Sequence, residues 1–212
     1  MKKSTDITTA SHRARNNYKR RALCGRCCLL ALALSVLPLG AGLLAFPSTL
    51  HAQVAEVGEE KVKAVYLYKF LNYVEWSVNA FAVPDTPYLI GVIGDDLVAN
   101  ELAGIIAGKT VNNRTITSKR IAYGEPLTDI DMVFIGRGER SRQAALLKQL
   151  RTQPVLTVTE TDSALEQGSI INFRAIDARI RFDVSVAAAE QAGLKLSARL
   201  LGVAMTVVKS NR

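Results

Sequence analysis

The residues best suited to binding a ligand precede the last predicted helix, where Lys195 and Ser197 stand two positions apart. Gly193 can end one helix and Ser197 can cap the next, with Lys195 between them. The amides at a helix start, a hydroxyl and an ammonium can converge on one anionic group. The alternative is a capped helix that carries an exposed lysine and binds nothing.

Two glycine-containing segments resemble phosphate-binding loops without meeting their requirements. Gly104–Thr110 has three residues between its glycines where a P-loop has four, and it ends a predicted helix instead of opening one. Gly136–Ser141 follows a predicted buried strand, but Ser141 replaces the third glycine of a dinucleotide fingerprint. We interpret the first as a helix end and the second as a tight strand-to-helix turn, at which a weak anion site stays open.

Composition excludes most catalytic chemistry from residues 53–212. All three cysteines and both histidines lie within residues 1–52, so Ser-His-Asp and Cys-His catalysis, thiol redox chemistry and His- or Cys-ligated zinc are excluded beyond them. Acid–base chemistry by carboxylates remains, at Asp95-Asp96 and at Asp129 and Asp131, although these are loop and helix-cap positions and we favour capping as their role. We expect no catalytic residue, no metal and no cofactor.

The first 52 residues are typical of a secretory signal peptide. Eight basic residues and one acid occupy residues 1–28, and the apolar run Leu29–Phe46 follows them. We expect cleavage after Ala52 and export to the periplasm, through the Sec route or, because of Arg20-Arg21, the twin-arginine route. An uncleaved membrane anchor is the alternative, although the run barely reaches the length of about 20 residues that a spanning helix needs.

The basic character of the chain belongs to this leader. The whole sequence of 212 residues has a net charge of +8. Without the leader's eight basic residues and one acid, 19 basic and 18 acidic residues remain, a net charge of +1. A nearly neutral domain lacks the electrostatic footprint of nucleic-acid binding, so we expect no nucleic-acid partner.

Strands alternate with helices along residues 53–212, a hairpin follows, and two helices come last. Helices are predicted at Glu59–Trp76, Asp95–Ile106, Glu139–Arg151, Val186–Ala192 and Ser197 to about Val208, and strands at Tyr88–Gly94, Val111–Ile121, Asp131–Gly136, Pro154–Thr159, Ser169–Phe173 and Ala178–Val184. This order predicts an α/β fold, a single-domain sandwich in which a mixed, mostly parallel β-sheet is flanked by helices.

The first predicted helix is apolar on more than one side. Tyr66, Phe70 and Tyr73 recur at helical spacing, and Val65 and Tyr68 belong to a second stripe. Such a helix is either deeply buried or covered by a partner. We therefore expect Tyr66, Phe70 and Tyr73 to belong to the core or to a partner or dimer surface.

A series of segments, in order, resembles the YfiR family over nearly all of residues 59–208. They are Lys63–Phe70 running to Val74–Trp76, Ile90–Asp96, Gly108–Val111, Pro154–Val158, Gly168–Phe173, Arg179–Phe182 and Ala192–Ser197 with Leu200-Leu201. The resemblance implies a dimeric periplasmic regulator that is not an enzyme. It implies that the protein represses an inner-membrane diguanylate cyclase by binding the cyclase's periplasmic domain, which lowers cyclic-di-GMP and biofilm formation. It also implies that an outer-membrane lipoprotein partner sequesters the protein.

The resemblance also implies where a small anionic ligand would bind. The family's site falls at the end of the first helix, here Glu75 and Trp76, and before the last helix, here Lys195 and Ser197. Glu75 departs from this scheme because it is acidic where an anion site favours a base. The cysteines that form disulfides in the best-known member are absent from residues 53–212.

Three hypotheses follow. The first is a repressor that contacts a membrane cyclase, and the second is a periplasmic sensor of a small anionic ligand without a cyclase partner. The third is an enzyme that uses carboxylates alone, which requires paired acids in one cleft.

Overall fold

Eight strands form one sheet in the computed structural model, which describes residues 58–77, 86–122 and 124–209. The leader and its predicted cleavage after Ala52 lie outside the described residues. The helices are α1 (Glu59–Phe70), α2 (Asp96–Ile106), α3 (Gln143–Leu150), α4 (Val186–Gln191) and α5 (Ala198–Val203). The strands are β1 (Val74–Glu75), β2 (Tyr88–Ile93), β3 (Thr110–Val111), β4 (Arg114–Arg120), β5 (Met132–Ile135), β6 (Leu156–Thr159), β7 (Ile171–Ile176), β8 (Arg179–Ser185), β9 (Lys195–Leu196) and β10 (Thr206–Val208).

The strand order of the large sheet is β10-β8-β7-β6-β5-β2-β4-β3. Five of its seven neighbouring pairs are parallel, and only β7–β8 and β3–β4 are antiparallel. Strands β1 and β9 form a separate antiparallel pair. The predicted fold class, a mixed and mostly parallel sheet flanked by helices, is confirmed.

Both faces of the sheet are covered. On β5, Met132 and Phe134 belong to the larger core, which contains α1 and α2, while Val133 and Ile135 belong to the core under α3. Alternate residues of a strand point to opposite faces, so a strand covered on both sides must be apolar throughout. This explains why β2 and β5 are short apolar runs, while β6 alternates apolar residues with the buried Thr157 and Thr159.

Side-chain caps start three of the helices. Asp95 accepts a hydrogen bond from the amide of Val98 at the start of α2, and Ser185 and Ser197 do the same for α4 and α5. Each cap satisfies an amide that the helix itself leaves without a partner. The predicted caps at Asp95 and Ser197 are therefore confirmed.

Both terminal helices are shorter than predicted. The first was expected to reach Trp76, but α1 ends at Phe70 because Val74–Glu75 pairs with Lys195–Leu196. The last was expected to reach about Val208, but α5 ends at Val203 because Thr206–Val208 pairs with β8. β-Branched residues fit a pleated strand better than a helix, which favours this exit of the chain into β10.

The helix predicted from Glu139 starts later, at Gln143. Arg137–Glu139 forms a separate 3-10 turn in front of it. That turn packs against the loop after β2, since a Cβ on Gly138 would lie 2.6 Å from the carbonyl oxygen of Gly94. The chain therefore makes a tight backbone contact before the helix begins.

Candidate functional site

An open groove with a volume of about 920 Å³ runs between α1 and α5, over the edge of β8. Its lining is mainly apolar and aromatic. The lining residues are Lys61, Val62, Val65, Tyr66, Lys69, Phe70, Tyr73, Phe182, Arg199, Leu200, Gly202 and Val203. We call this feature the α1–α5 groove.

Aromatic rings form the floor of the α1–α5 groove. Phe70 and Phe182 are 1% and 3% exposed, and their ring centroids are 5.2 Å apart in an edge-on arrangement. Tyr66 stacks on Phe70 with centroids 5.8 Å apart and also meets Phe182 edge-on. Rings in mutual contact resist displacement, so the floor is rigid and apolar.

The rim of the groove combines exposed apolar residues with cations. Val65 is 39% exposed and Val203 is 68% exposed. Lys61, Lys69 and Arg199 line the groove, and no carboxylate of the described residues does. The rim therefore favours an apolar occupant that carries negative charge.

The α1 wall follows from helical spacing. Lys61, Val65 and Lys69 recur every four residues and share one side of the helix, and Tyr66 and Phe70 form the neighbouring row. The opposite side of the helix is buried under α2 and the sheet.

The α5 wall is positioned by Ser197. Its amide donates to the carbonyl of Tyr73 over 2.9 Å, and its hydroxyl accepts from the amide of Leu200 over 3.3 Å. Ser197 thus joins the start of α5 to Tyr73, just after the end of α1, and also caps α5.

The structure brings the predicted partner residues Tyr66, Phe70 and Tyr73 together in this groove. Phe70 lies in its floor, and Tyr66 and Tyr73 are half-buried along it. Sequence reasoning missed the opposite wall, Arg199 and Val203, because no local pattern shows that the last helix lies beside α1. The isolated run of β-branched residues at Thr206–Val208 was the available signal for an earlier helix end.

The segments predicted to bind an anionic ligand also meet. Glu75 and Lys195 are directly opposite each other in the β1–β9 pair. Trp76 is directed elsewhere: its Nε1–H donates to the carbonyl of Pro154 over 3.0 Å, and its ring lies 5.3 Å from that of Tyr88.

A buried ionic cluster fastens α1 to the carboxyl ends of β5 and β6. Lys63 is 3% exposed and donates to Glu160 and, over 2.6 Å, to Glu59. Glu160 also accepts from the amide of Arg137 over 3.0 Å. Sequence reasoning missed this cluster, because a lysine after two glutamates is typical of a solvated helix start.

The cluster alters the protonation of its members. The hydrogen bond from Lys63 holds the pKa of Glu59 below its ordinary value, against a smaller opposing effect of burial. Burial alone would lower the pKa of Lys63, but the hydrogen bonds to Glu160 and Glu59 and the negative charges of both groups together raise that pKa. Both groups are therefore held in their charged forms.

The glycine segments are structural elements. Gly108, with φ of +68°, follows the end of α2, which agrees with the interpretation of Gly104–Thr110 as a helix end. A Cβ on Gly136 would lie 2.8 Å from the Cβ of Asp95.

In doubly wound sheets ligands bind beyond the carboxyl ends of the strands, at the point where the strand order reverses. Here the loops after β2 and β5 pack against each other at that point.

Of the four acids considered for catalysis, Asp95 and Asp96 lie at the start of α2, and Asp129 and Asp131 line one cleft. Asp95 caps α2, and Asp96 pairs with Arg120 over 3.3 Å. Asp131 accepts from the amide of Leu89 over 2.8 Å, and burial raises the pKa of its carboxyl. These contacts are structural ones.

The described residues contain neither a cluster of metal ligands nor a membrane-spanning helix. Within residues 58–77, 86–122 and 124–209, no group of three or more His, Cys, Asp or Glu side chains could hold a metal ion. No helix in the same ranges is long and apolar enough to cross a membrane.

Comparison with known proteins identifies the family. No curated protein matches the chain with significant similarity. Residues 60–205 match the family model described as YfiR/HmsC-like, which covers most of the domain built by α1 to β10. The chain therefore belongs to the YfiR/HmsC-like family, a family of periplasmic regulators of diguanylate cyclase signalling and not of catalysts.

Proposed function

We propose that this protein binds the periplasmic domain of an inner-membrane diguanylate cyclase and represses it, which lowers cyclic-di-GMP and biofilm formation. Family membership supports the signalling pathway. The observation that carries the proposal is the α1–α5 groove, where Val65 and Val203 are exposed above an aromatic floor.

The chemistry of the groove suits protein contact. Contiguous exposed apolar surface rimmed by polar groups marks interaction sites on monomeric proteins. Tyrosines such as Tyr66 and Tyr73 are enriched among the residues that dominate binding energy, because they bury a large area and retain a polar tip. Both lie half-buried and accessible along the groove.

The remaining chemistry of the domain supports binding over catalysis. Residues 53–212 contain no histidine and no cysteine. The buried carboxylate of Glu160 is paired with Lys63, and Asp131 is bonded to a backbone amide. These groups are committed to holding the fold.

The test is repression of the cyclase by two matched variants. Val203→Arg places a bulky charge on the groove rim, and Leu97→Arg places the same charge on α2 at a residue that is 62% exposed and outside the groove. Deletion of the gene should raise cyclic-di-GMP and biofilm. Leu97→Arg should restore repression and co-purify with the cyclase, and Val203→Arg should do neither.

Other results would overturn the proposal. If deletion leaves cyclic-di-GMP unchanged and no cyclase co-purifies with the protein from membrane extract, the protein is not its repressor. If both variants restore repression equally, the contact surface is not the α1–α5 groove.

Export, assembly and sequestration complete the proposal by analogy with the family. The leader would be cleaved after Ala52, the mature protein would form a homodimer, and an outer-membrane lipoprotein would sequester it. Mass determination of the protein recovered from the periplasm tests the cleavage, and sedimentation tests the dimer. Capture from envelope extracts tests the lipoprotein.

A second candidate function is the sensing of a small anionic ligand at Glu75, Trp76, Lys195 and Ser197. The observation behind it is the β1–β9 pair, which brings the two predicted segments together, although it also sets the acidic Glu75 opposite Lys195. Calorimetry with nucleotides and amino acids on the wild type and Lys195→Ala is the test. Loss of binding in the variant supports the site, and binding indifferent to Lys195 removes it.

A further inference from the structure

The first half of strand β8 is paired on one side only. Strand β7 pairs with β8 from Arg179 onwards. On the other side, β10 pairs only with the second half of β8, where Thr206 lies opposite Asp183. Within the described residues, no strand lies beside Arg179–Arg181 on the side of β10. An unpaired edge of this kind is a template for the addition of another strand.

The backbone of Ile180 faces this open side. The amide of Met205 donates to the carbonyl of Phe182 over 2.9 Å, so the backbone groups of Phe182 face away from β7. In an antiparallel pair the backbone groups of successive residues face alternate sides of the strand. Ile180 precedes Phe182 by two positions, so its N–H and C=O face the same side and are available to an added strand.

A cleft with a volume of about 670 Å³ lies along the open edge. Arg179–Arg181 line one side of it, and the half-buried Val62 and Tyr66 of α1 line the other. Glu59 also lines the cleft, but its carboxylate is paired with Lys63 over 2.6 Å. We call this feature the β8-edge cleft. It provides space for an extended chain beside the unpaired strand.

The other face of the hairpin is basic. Arg174 of β7 lies directly opposite Arg181 of β8, and Arg179 is on the same face as Arg181. All three are exposed. Like charges directly opposite each other destabilise an antiparallel pair. Arg174 has Asp183 at 3.7 Å, but Arg179 and Arg181 have no ion-pair partner among the described residues. A local conflict of this kind is typical of a functional surface.

We propose that an extended acidic segment of a protein partner adds to β8 as an antiparallel strand in the β8-edge cleft. Two acidic side chains, two positions apart, lie opposite Arg179 and Arg181. The residue between them lies opposite Ile180, exchanges both backbone hydrogen bonds with it, and directs its side chain toward Val62 and Tyr66. Directly opposed residues share a face of the sheet, so the cleft selects the pattern acidic–apolar–acidic.

An extended peptide uses more of this site than other anions do. A free phosphate would neutralise the arginines but leave the backbone groups of Ile180 and the cleft unused. The surface of an anionic membrane would meet the exposed arginines, but it cannot enter the space between β8 and α1. A strand with acidic side chains satisfies the charges, the backbone groups and the cleft together.

This proposal does not depend on the repression of a cyclase. The β8-edge cleft adjoins the α1–α5 groove, since Val62 and Tyr66 line both. Binding of an acidic strand is measured on the purified protein without any cyclase. Either proposal can therefore fail without the other.

The first arm of the test varies the peptide. The probe is a capped peptide with the sequence threonine, glutamate, valine, glutamate, threonine, titrated by NMR. We expect it to bind and to slow hydrogen exchange at the Ile180 amide, because that amide gains a hydrogen bond. Replacing both glutamates with lysine should weaken binding at least about tenfold, because the charges then repel. N-methylation of the valine should do the same, because it removes the donor to Ile180.

The second arm varies the arginines. Arg179→Gln combined with Arg181→Gln should weaken the glutamate peptide by about tenfold, as the loss of two exposed ion pairs predicts. The matched control is Lys148→Gln combined with Arg151→Gln, which removes two exposed charges on and just after α3 and should leave binding unchanged.

The third arm varies the backbone of the edge. Ile180→Pro removes an N–H that faces away from β7, so the β7–β8 ladder keeps its hydrogen bonds. It should abolish peptide binding, whereas Ile180→Val keeps the N–H and should bind the peptide. If Ile180→Pro does not fold, the N-methylated peptide tests the same hydrogen bond on the wild type.

Three results would overturn the proposal. One is failure of the glutamate peptide to bind, including the case in which phosphatidylglycerol vesicles bind through the two arginines instead. Another is an N-methylated peptide that binds as tightly as the parent, since charge alone then accounts for the affinity. The third is binding that the Arg179 and Arg181 double variant leaves intact.

Discussion

The ammonium of Lys63 on α1 is bonded to the carboxylate of Glu160, 97 residues later in the chain, and both side chains are buried. Glu160 lies just beyond β6 and also receives the amide of Arg137, which follows β5. One buried ion pair thus fixes the first helix to the sheet and to the turn after β5.

Replacing Lys63 with methionine should destabilise the domain strongly. The methionine side chain would fill similar space but leave Glu160 without its buried partner, which costs about 3–5 kcal/mol. Urea unfolding at neutral pH is the measurement. The double variant Lys63→Met with Glu160→Gln should recover part of the loss, because no unpaired charge then remains. Lys61→Met, exposed on the same helix, should change the free energy of unfolding by no more than about 0.5 kcal/mol.

Stability should fall at both ends of the pH range. The folded state lowers the pKa of Glu59 from 4.5, so its contribution is present above that value and is lost as pH falls through the lower folded pKa. The folded state raises the pKa of Lys63 from 10.5, so that contribution is present below 10.5 and is lost as pH rises through the folded pKa. Denaturant titrations across the range test this, and Glu59→Gln should flatten the acid limb.

Asp131 should act in the opposite direction in acid. Burial raises the pKa of its carboxyl, so the fold favours the protonated form and this group stabilises the domain as pH falls. Asp131→Asn should therefore make the acid loss of stability steeper than in the wild type. An unchanged acid limb would contradict the assignment.

Alanine at two glycines should have opposite effects. A Cβ on Gly138 would lie 2.6 Å from the Gly94 carbonyl oxygen, so Gly138→Ala should cost about 1–3 kcal/mol through overpacking. Gly104 lies within α2 with open space around it, so Gly104→Ala should stabilise the domain by up to about 1 kcal/mol. Thermal unfolding of both variants decides the matter, and equal effects would refute the tight loop contact.

Ser197→Ala should weaken the groove as well as the fold. Loss of its cap costs about 1 kcal/mol, and the α5 wall of the groove is then free to fray. Ser185→Ala removes the corresponding cap of α4, away from the groove, at a similar cost. Comparable stability losses, with co-purification of the cyclase reduced only in Ser197→Ala, are the expected result of unfolding and pull-down measurements.

Sequence reasoning succeeded where the signal is local. Strands β2 and β5 are short apolar runs with both faces covered, and α2 begins at a capping aspartate. The aromatic stripe Tyr66, Phe70 and Tyr73 likewise marked one wall of the groove from helical spacing alone.

It failed where distant segments decide the outcome. Strand β1 exists because Val74 pairs with Leu196, and β10 because Thr206 pairs with Asp183. Two- and three-residue strands have no periodicity of their own, so nothing local distinguishes them from a helix end. The same holds for Lys63, whose burial depends on Glu160.

The walls of the α1–α5 groove come from opposite ends of the domain, and this has a consequence for the order of folding. The sheet from β2 to β8 lies between α1 and α5 in the chain, and contacts between distant segments form late because the loop that joins them must first be closed. The groove is therefore completed only when the last helix docks beside Tyr73. A copy whose folding has stopped earlier has no groove, so whatever binds there selects fully folded molecules.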